Sequence, residues 1–290
     1  MIIESKPSYL CPTGYKQTEV GVIPEDWEVQ SLGCVARVIG GGAFKSQDSM
    51  QTGVRWLKIA NVALIESLEQ LIIKKRHLKQ ATMQELLTGK KRLPGFSGER
   101  EAKRLGDVAE IVGGGTPSSF NSNYWNGTIN WFTPTEIGSS KYTFESVRKI
   151  TKEGFINCSG KILPIGRILL TTRDGIGDLS ILMNESCTNQ GFQSLIVKED
   201  YFNEYLYYLM QTLKNVLIQN ASGSTFLEIN PNKIRQIKVS IPNFQEQTAI
   251  ATIISDMDTE IAALETQLAK TRSLKQGIMH NLLTGRIRLI

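Results

Sequence analysis

The chain has few cysteines and histidines, and they are widely separated. The four cysteines form no C-x-x-C pair, and the two histidines, His77 and His280, lie far apart in sequence. Disulfide-stapled domains and zinc sites both need such residues at close or regular spacing. We therefore expect a reducing environment, no metal site and no bound cofactor. The cysteines are Cys11, Cys34, Cys158 and Cys187.

Long apolar runs are also missing. No stretch approaches the roughly 18 to 20 apolar residues of a membrane helix. The first residues, MIIESKPSYLCPTG, lack the basic end and apolar core of a secretion signal. With 290 residues and 41% hydrophobic content, the chain is long enough for one large or two ordinary domains with a buried core. We expect a cytoplasmic protein with no membrane partner.

Recognisable catalytic motifs are missing too. The glycine runs at 40–42 and 113–115 and the pair Gly175 and Gly177 follow apolar segments, but none has the G-x-G-x-x-G pattern opening a helix. Tight turns or bulges explain these glycines better than a nucleotide cradle. The acidic residues of the strand-rich region form no obvious nuclease cluster. We therefore expect a non-catalytic protein.

Positive charge is concentrated in one segment. The net charge is +5, and ten Lys or Arg residues but only three acids lie between Lys74 and Arg104. Such a cluster can attract phosphate. The same run can equally be a solvated helix face followed by a basic loop. Charge alone leaves both interpretations open.

The chain contains an internal repeat. Residues 65–93 align without a gap over residues 261–289, with 15 identities in 29 positions at an offset of 196. Residues 28–42 match 101–115 at an offset of 73, and Trp56 aligns with Trp131 at an offset of 75. The jump in offset means that the second copy has about 120 residues that the first lacks, the size of a small domain. The sequence is that of a two-copy protein whose first copy lacks the domain-sized segment found in the second.

The repeated segments have the heptad periodicity of long helices. A helix from about Gln245 to Leu283 would be roughly 58 Å long at ~1.5 Å per residue, so it must pack along another helix. Gly89 and Gly285 are expected to end the two helices. Lys75, Lys79, Thr82, Thr271 and Lys275 interrupt the apolar seam. The predicted interface residues are Ile65, Leu68, Ile72, Leu86, Ile250, Ile254, Met257, Ile261, Leu264, Leu268, Ile278 and Leu282.

Between the two helices, residues 101–243 are rich in β-branched and aromatic residues with frequent turn signals, which predicts a sheet. One helix is predicted over 201–219, with Leu206, Leu209, Met210, Leu213 and Leu217 on one face. The pattern predicts a domain of helix and strand built around a sheet.

Five predicted loops in this domain combine amides, hydroxyls, an arginine and aromatics, which are side chains that can read base edges. They are TPSSFNSNYWNG at 116–127, TPTEI at 133–137, TTRDG at 171–175, TNQGFQS at 188–194 and SGSTF at 222–226. Each segment alone is more typical of a capped turn, and only their concentration in one domain beside a basic run favours DNA contact. The candidate DNA contacts are Thr116, Ser118, Ser119, Asn121, Asn123, Tyr124, Thr133, Thr135, Thr172, Arg173, Asn189, Gln190, Gln193, Ser224 and Thr225, and the candidate phosphate contacts are Lys90, Lys91 and Arg92.

Four segments resemble the specificity subunit of type I restriction-modification enzymes, and they occur in that family's order. They are KQTEVGVIPEDWEVQSLG at 16–33, LLTGKKRLPGFSGE at 86–99, RLGDVAEIVGGGTP at 104–117 and IPNFQEQTAI at 241–250. The resemblance implies an α+β fold with one mostly-β target recognition domain and two long conserved helices forming an antiparallel coiled coil. On this chain it implies a remnant of a first recognition domain at 1–62, a central helix at 63–93, an intact recognition domain at 94–243 and a distal helix at 244–290.

The resemblance also implies the partners. They are double-stranded DNA, modification subunits that methylate adenine at N6 with S-adenosylmethionine, and restriction subunits with motor and nuclease activity. The chain would direct these subunits to their DNA site without being an enzyme itself. Two chains paired through their long helices would regain two recognition domains and read a symmetric, interrupted site.

Two rival interpretations stay open. In the first, the chain is a helical assembly partner that competes for modification subunits and does not read sequence, which the missing first domain favours. In the second, the chain acts on DNA directly as an enzyme. Methyl transfer by the purified chain alone would support the second.

Overall fold

The computed structural model describes residues 13–18, 21–29, 60–173, 175–223, 227–284 and 286. The glycine run at 40–42 and Trp56 lie outside these residues, as does most of the segment 28–62. The elements in chain order are β1 (Tyr15–Thr18), β2 (Gly21–Pro24), α1 (Ala60–Leu87), β3 (Glu101–Arg104), α2 (Leu105–Val108), β4 (Ala109–Gly113), β5 (Trp125–Phe132), β6 (Tyr142–Thr143), β7 (Lys149–Ile150), α3 (Lys152–Ile156), β8 (Ile168–Leu170), β9 (Leu179–Leu182), β10 (Ser186–Thr188), β11 (Gln193–Val197), α4 (Asn203–Thr212), α5 (Lys214–Asn220), α6 (Pro231–Gln236), β12 (Lys238–Ile241) and α7 (Phe244–Leu283).

The chain divides into two compact units, one of Met1–Lys74 with Ala262–Ile290 and one of Lys75–Ile261. In the first unit, β1 and β2 pair as an antiparallel hairpin. The first turns of α1 bury three apolar residues, and Leu268 of α7 is also buried. An ion pair joins Arg272 of α7 to Glu69 of α1 at 2.5 Å. The buried residues of α1 are Ile65, Leu68 and Ile72.

In the second unit, the same two helices run antiparallel. Lys75 of α1 pairs with Glu260 of α7 at 2.6 Å, and Lys79, one turn further along α1, pairs with Asp258, which lies earlier in α7. The lysines that interrupt the apolar seam of α1 therefore find acidic partners on the opposite helix. No helix among the described residues is both long and apolar enough to cross a membrane.

The five-stranded sheet of the second unit lies between two hydrophobic clusters, and the three-stranded sheet contributes to a further one. The five-stranded sheet has the order β4-β11-β8-β9-β6, the three-stranded sheet the order β10-β5-β7, and β12 pairs with β3. Successive strand residues point to opposite faces. In β8, Ile168 and Leu170 belong to the larger core cluster, whereas Leu169 lies in the other. The larger cluster also contains Tyr205 and Tyr208 of α4.

The long helices follow the heptad prediction for most of the seam. Of the residues predicted there, Ile65, Leu68, Ile72, Leu86, Ile250, Ile254, Ile261 and Leu268 are buried, and Met257 and Leu264 are half-buried. Ile278 is 43% exposed in the single chain, so it does not pack in the seam there. The side chain of Leu282 lies outside the described part. Met83 and Leu87 are buried although the seam prediction omitted them.

The single helix predicted over 201–219 is two helices. α4 ends at Thr212, α5 begins at Lys214, and Leu213 between them serves as the C-cap of the first and the N-cap of the second. Leu217 in α5 and Leu206 in α4 are nevertheless both fully buried. Periodicity detected the buried face but not the break, because both helices bury it in the same core.

Candidate nucleic-acid interface

Strand pairing brings the predicted contact loops together at one edge of the sheets. β4 ends at Gly113, which pairs with Gln193 at the start of β11. β10 runs parallel to β5, and their last residues, Thr188 and Phe132, are partners. The carboxyl ends of three strands therefore meet where β11 begins. Loops that are far apart in sequence leave the sheets at this common edge.

Hydrogen bonds then join the loops to one another around residues 188–191. The hydroxyl of Thr116 donates to Oε1 of Gln190. The backbone amide of Asn189 donates to the carbonyl of Phe132 at 3.0 Å, and that of Thr172 donates to Gly191 at 2.8 Å. Four of the five predicted loops thus form one surface, which we call the loop cluster: residues 116–127, 133–137, 171–173 and 188–194.

The fifth loop is linked to this surface through an ion pair. Nε of Arg173 lies 3.0 Å from a carboxylate oxygen of Glu228. Glu228 in turn forms a β-bridge with Ser222, the first residue of that predicted loop. Ser224 and Thr225, which are candidate contacts, lie outside the described residues.

The glycine run at 113–115 allows the loops to pack this closely. A side chain on Gly114 would place its Cβ 2.0 Å from the carbonyl oxygen of Asn189 and 2.3 Å from the hydroxyl of Thr188. Gly115 would meet the backbone nitrogen of Gly160 at 2.4 Å. These glycines therefore serve close backbone approach, whereas the sequence pattern predicted a tight turn or a bulge.

Most of the candidate DNA contacts have accessible side chains. Those at 116, 118, 119, 123, 135 and 190 are exposed, and those at 121, 124, 133, 173, 189 and 193 are half-buried. Several are held by local bonds that fix their orientation. Oδ1 of Asn189 accepts from the amide of Gly191 at 2.8 Å, and the hydroxyl of Thr133 donates to Glu136 at 2.6 Å. The surface combines exposure with fixed geometry, which suits base reading.

Thr172 is a correction to the predicted set. Its side chain is fully buried, and its hydroxyl donates to the carbonyl of Gly191 at 3.1 Å. A buried hydroxyl with its own acceptor cannot reach a base edge. Thr172 therefore stabilises the loop cluster through its buried hydrogen bond and does not contact DNA.

The basic run at 74–104 is mostly neutralised within the second unit. Six of its ten basic residues have an acidic partner. The pair of Lys91 with Glu85 at 2.8 Å lies at the surface, whereas Lys90 is exposed. Most of this run therefore serves in ion pairs within the chain. The six paired residues are Lys75, Lys79, Lys91, Arg92, Arg100 and Lys103.

Arg92 is the second correction among the candidate contacts. Its guanidinium lies 2.5 Å from a carboxylate oxygen of Glu246, and that of Arg100 lies 2.9 Å from the other oxygen. Glu246 is fully buried. Arg100 also donates to the carbonyls of Leu86 and Leu87, the last residues of α1. We call Arg92, Arg100 and Glu246 the buried charge junction; the charge of Arg92 is used there and not on phosphate.

Strand register explains how the buried charge junction forms. Glu101, the first residue of β3, pairs with Ile241, the last residue of β12. This pairing places Arg100 beside the start of α7, where Glu246 lies in the first turn. The junction thus ties the end of α1 to the beginning of α7. Sequence reasoning missed it because the partners are about 150 residues apart.

A second network that sequence reasoning missed surrounds Lys141. Its ammonium donates to Glu204 at 2.9 Å, to the Tyr208 hydroxyl at 3.0 Å and to Ser255 at 3.3 Å. The Tyr208 hydroxyl donates to Asp258 at 2.7 Å. Burial, and next this hydrogen bond, raise the pKa of Tyr208 well above its usual range. The network joins the segment before β6 to α4 and α7.

Among the described residues, no group of three or more His, Cys, Asp or Glu side chains could hold a metal ion. The two described cysteines, Cys158 and Cys187, are free thiols. Burial raises the pKa of the Cys187 thiol to about 12.

Comparison with known proteins agrees with the geometry. Residues 98–271 match the family model described as the type I restriction modification DNA specificity domain. This match includes the loop cluster, the strands from β3 to β12 and most of α7.

Curated relatives are specificity subunits of type I restriction enzymes. The MjaIX specificity subunit of Methanocaldococcus jannaschii is 38% identical over 162 residues, which are 54% of this chain and 38% of that protein. The EcoR124I/EcoR124II specificity subunit of Escherichia coli is 30% identical over 186 residues, which are 62% of this chain and 46% of that protein. The chain spans less than half the length of these relatives.

Solved structures share the fold at lower sequence identity. The HsdS subunit from Thermoanaerobacter tengcongensis is 20% identical, with a TM-score of 0.52 covering 77% of this chain and 56% of that one. A chain from a structure of the type I R-M system is 21% identical, with a TM-score of 0.53 and the same coverages. These likenesses confirm the predicted α+β fold.

The family model covers well over half of the sequence, and the edge where the strands end carries side chains suited to base reading. The chain belongs to the type I restriction modification DNA specificity domain family.

Proposed function

We propose that this chain is a DNA specificity subunit with one working recognition domain, which reads one part of a DNA site through the loop cluster. The observation that carries the proposal is the convergence of four polar loops at one sheet edge, held by inter-loop hydrogen bonds. Amides, hydroxyls and an arginine in fixed positions can match donor and acceptor patterns of bases. No catalytic residue is assigned to the chain.

The partners follow from the family resemblance. The chain would bring modification subunits, which methylate adenine at N6, and restriction subunits to the site it reads. The long helices α1 and α7 would set the distance between recognition domains and provide the docking surface. The domain assignment remains 1–62, 63–93, 94–243 and 244–290.

Pairing of two chains would explain how one recognition domain serves a split site. Apolar residues remain exposed on both long helices, among them Leu71 and Leu78 of α1 and Leu274 and Ile278 of α7. A second copy would bury such residues. Because the pair would be two-fold symmetric, its target would be an inverted repeat with a spacer.

The test is sequencing of DNA methylation in cells that express the chain with its modification subunit. We expect an interrupted, inverted-repeat motif. An asymmetric two-part motif would contradict the pairing of two chains, and the absence of any motif would contradict the proposed function.

A rival function, competition for modification subunits without sequence reading, is favoured by the domain-sized segment missing from the first repeat copy. The variant with Arg173→Ala and Gln190→Ala discriminates between the two. Under the proposed function it loses sequence preference but still binds the modification subunit. Under the rival function no variant of the loop cluster changes DNA preference.

A further inference from the structure

The side chain of Phe120 is fully exposed at the tip of the first loop of the loop cluster. Its relative exposure is 100%, the highest among the large hydrophobic residues that the structure describes. Burying a phenylalanine contributes roughly 1.5 to 3 kcal/mol, and here folding makes no use of it. Its neighbours Ser119, Asn121 and Asn123 are candidate base contacts.

The backbone that presents Phe120 is fixed on both sides. The carbonyl of Ser118 accepts from the amide of Asn121 at 3.4 Å and from the indole of Trp125 at 3.2 Å. Ser119 and Phe120 are therefore the two central residues of a turn. Oδ1 of Asn121 accepts from the amide of Asn123 at 3.1 Å and caps the short helical turn that follows.

Two tryptophans anchor this turn to the sheet. The rings of Trp125 and Trp131 meet edge to face with centroids 5.1 Å apart, and the Arg148 guanidinium lies 3.7 Å from the Trp125 ring centroid. The indole of Trp131 donates to the carbonyl of Gly115 at 2.9 Å. The exposed phenyl ring thus stands on a rigid support, and little ordering would be needed when a partner covers it.

The charge pattern around Phe120 indicates which part of DNA it meets. Residues 111–135 contain no Asp, Glu, Lys or Arg. Proteins that insert apolar wedges into the minor groove use Arg and Lys as well as amides there, and of these groups the segment offers only amides. An uncharged turn with hydroxyls and amides fits base edges in the major groove better. There, the one apolar group exposed on a base edge is the C5-methyl group of thymine.

We propose that Phe120 determines specificity by packing against the C5-methyl group of a thymine in the major groove. The inference rests on the proposed function and adds a thymine to the half-site that the chain reads. The ring would cover the methyl group while Ser119, Asn121 or Asn123 bonds to neighbouring base edges. Removal of water from both apolar groups is the source of the preference.

The experiment uses the full chain in complex with its modification subunit and the sequence that the complex selects from random duplex DNA. Each thymine of that sequence is replaced singly by deoxyuridine, which removes the methyl group and keeps the hydrogen-bonding edge. For the unmodified chain, we expect one position at which affinity falls about fourfold, the effect of one buried methyl group. Phe120→Ala should lower affinity on the order of tenfold and abolish the penalty at that position.

Phe144→Ala is the matched control, because Phe144 is also exposed, at 58%, and lies outside the loop cluster. It should keep both the affinity and the deoxyuridine penalty. Persistence of the penalty in Phe120→Ala, or its absence from the unmodified chain, would overturn the inference. A weaker Phe120→Ala complex with no sensitive thymine would instead indicate stacking between bases and would also overturn it. A complex that selects no sequence would contradict the proposed function itself.

Discussion

The buried charge junction and the loop cluster lie in the same unit and use polar side chains in opposite ways. At the junction, each oxygen of the fully buried Glu246 carboxylate pairs with one arginine, and Arg100 is nearly buried as well. In the first loop of the loop cluster, residues 116–127 include no charged residue, and many of their polar groups are exposed. The charge-rich segment therefore mainly stabilises the fold, whereas the uncharged segment is available for contact with DNA.

The largest effect is expected from breaking the buried charge junction. Glu246→Ala would leave the guanidiniums of Arg92 and Arg100 without their carboxylate, and Arg100 is nearly buried. Removing one partner of a buried ion pair costs about 3 to 5 kcal/mol of stability. Denaturant unfolding of the full chain measures this loss.

Glu85→Ala is the control for Glu246→Ala, because Glu85 pairs with Lys91 at the surface. Its loss should be at most about 1 kcal/mol. Equal effects of the two variants would mean that the junction is no more important to stability than a surface pair.

The next effect is a loss of stability in alkaline solution. Burial is the main cause that raises the pKa of Tyr207 to about 12 from its ordinary value of 10.0. The unfolded chain therefore releases this proton first as the pH rises. The contribution of the Tyr207 proton to the free energy of unfolding is fully present below pH 10. It is lost between about pH 10 and 12, by up to roughly 3 kcal/mol. Tyr207→Phe should flatten this part of the curve when thermal unfolding is followed against pH.

The junction and the loop cluster also differ in how far their residues could be predicted. Heptad spacing located the long helices because an apolar stripe is a local property of sequence, and the repeat showed where the helices end. The junction depends on the register between β3 and β12, which no local pattern contains. The break at Leu213 was missed because its flanking helices share one buried face.

For the loop cluster, the residue types identified the loops but did not show which of their side chains are exposed. Their convergence follows from strand order, which the sequence does not display. Thr172 and Gln190 are both polar residues in predicted loops, yet the first is fully buried and the second exposed. The exposure of Phe120 likewise has no sequence signal, since phenylalanine is more often buried.

A smaller effect concerns the remainder of the basic run. Lys90 is exposed and Lys91 has only a surface partner, so both stay proposed phosphate contacts. Replacing both by alanine should reduce the slope of log affinity against log salt by about 1.8, at ~0.9 for each phosphate. Binding would weaken equally on all sequences. An unchanged slope would assign the whole basic run to structure.

The central claim is that the loop cluster reads sequence and the basic run does not. The direct measurement is the ratio of affinities for the selected site and a scrambled duplex, with the modification subunit present. Gln190→Ala should reduce the free-energy difference that corresponds to this ratio by about 1 to 3 kcal/mol. The double replacement of Lys90 and Lys91 by alanine should leave the ratio unchanged while lowering both affinities. A ratio that falls in the lysine variant and persists in Gln190→Ala would contradict the account.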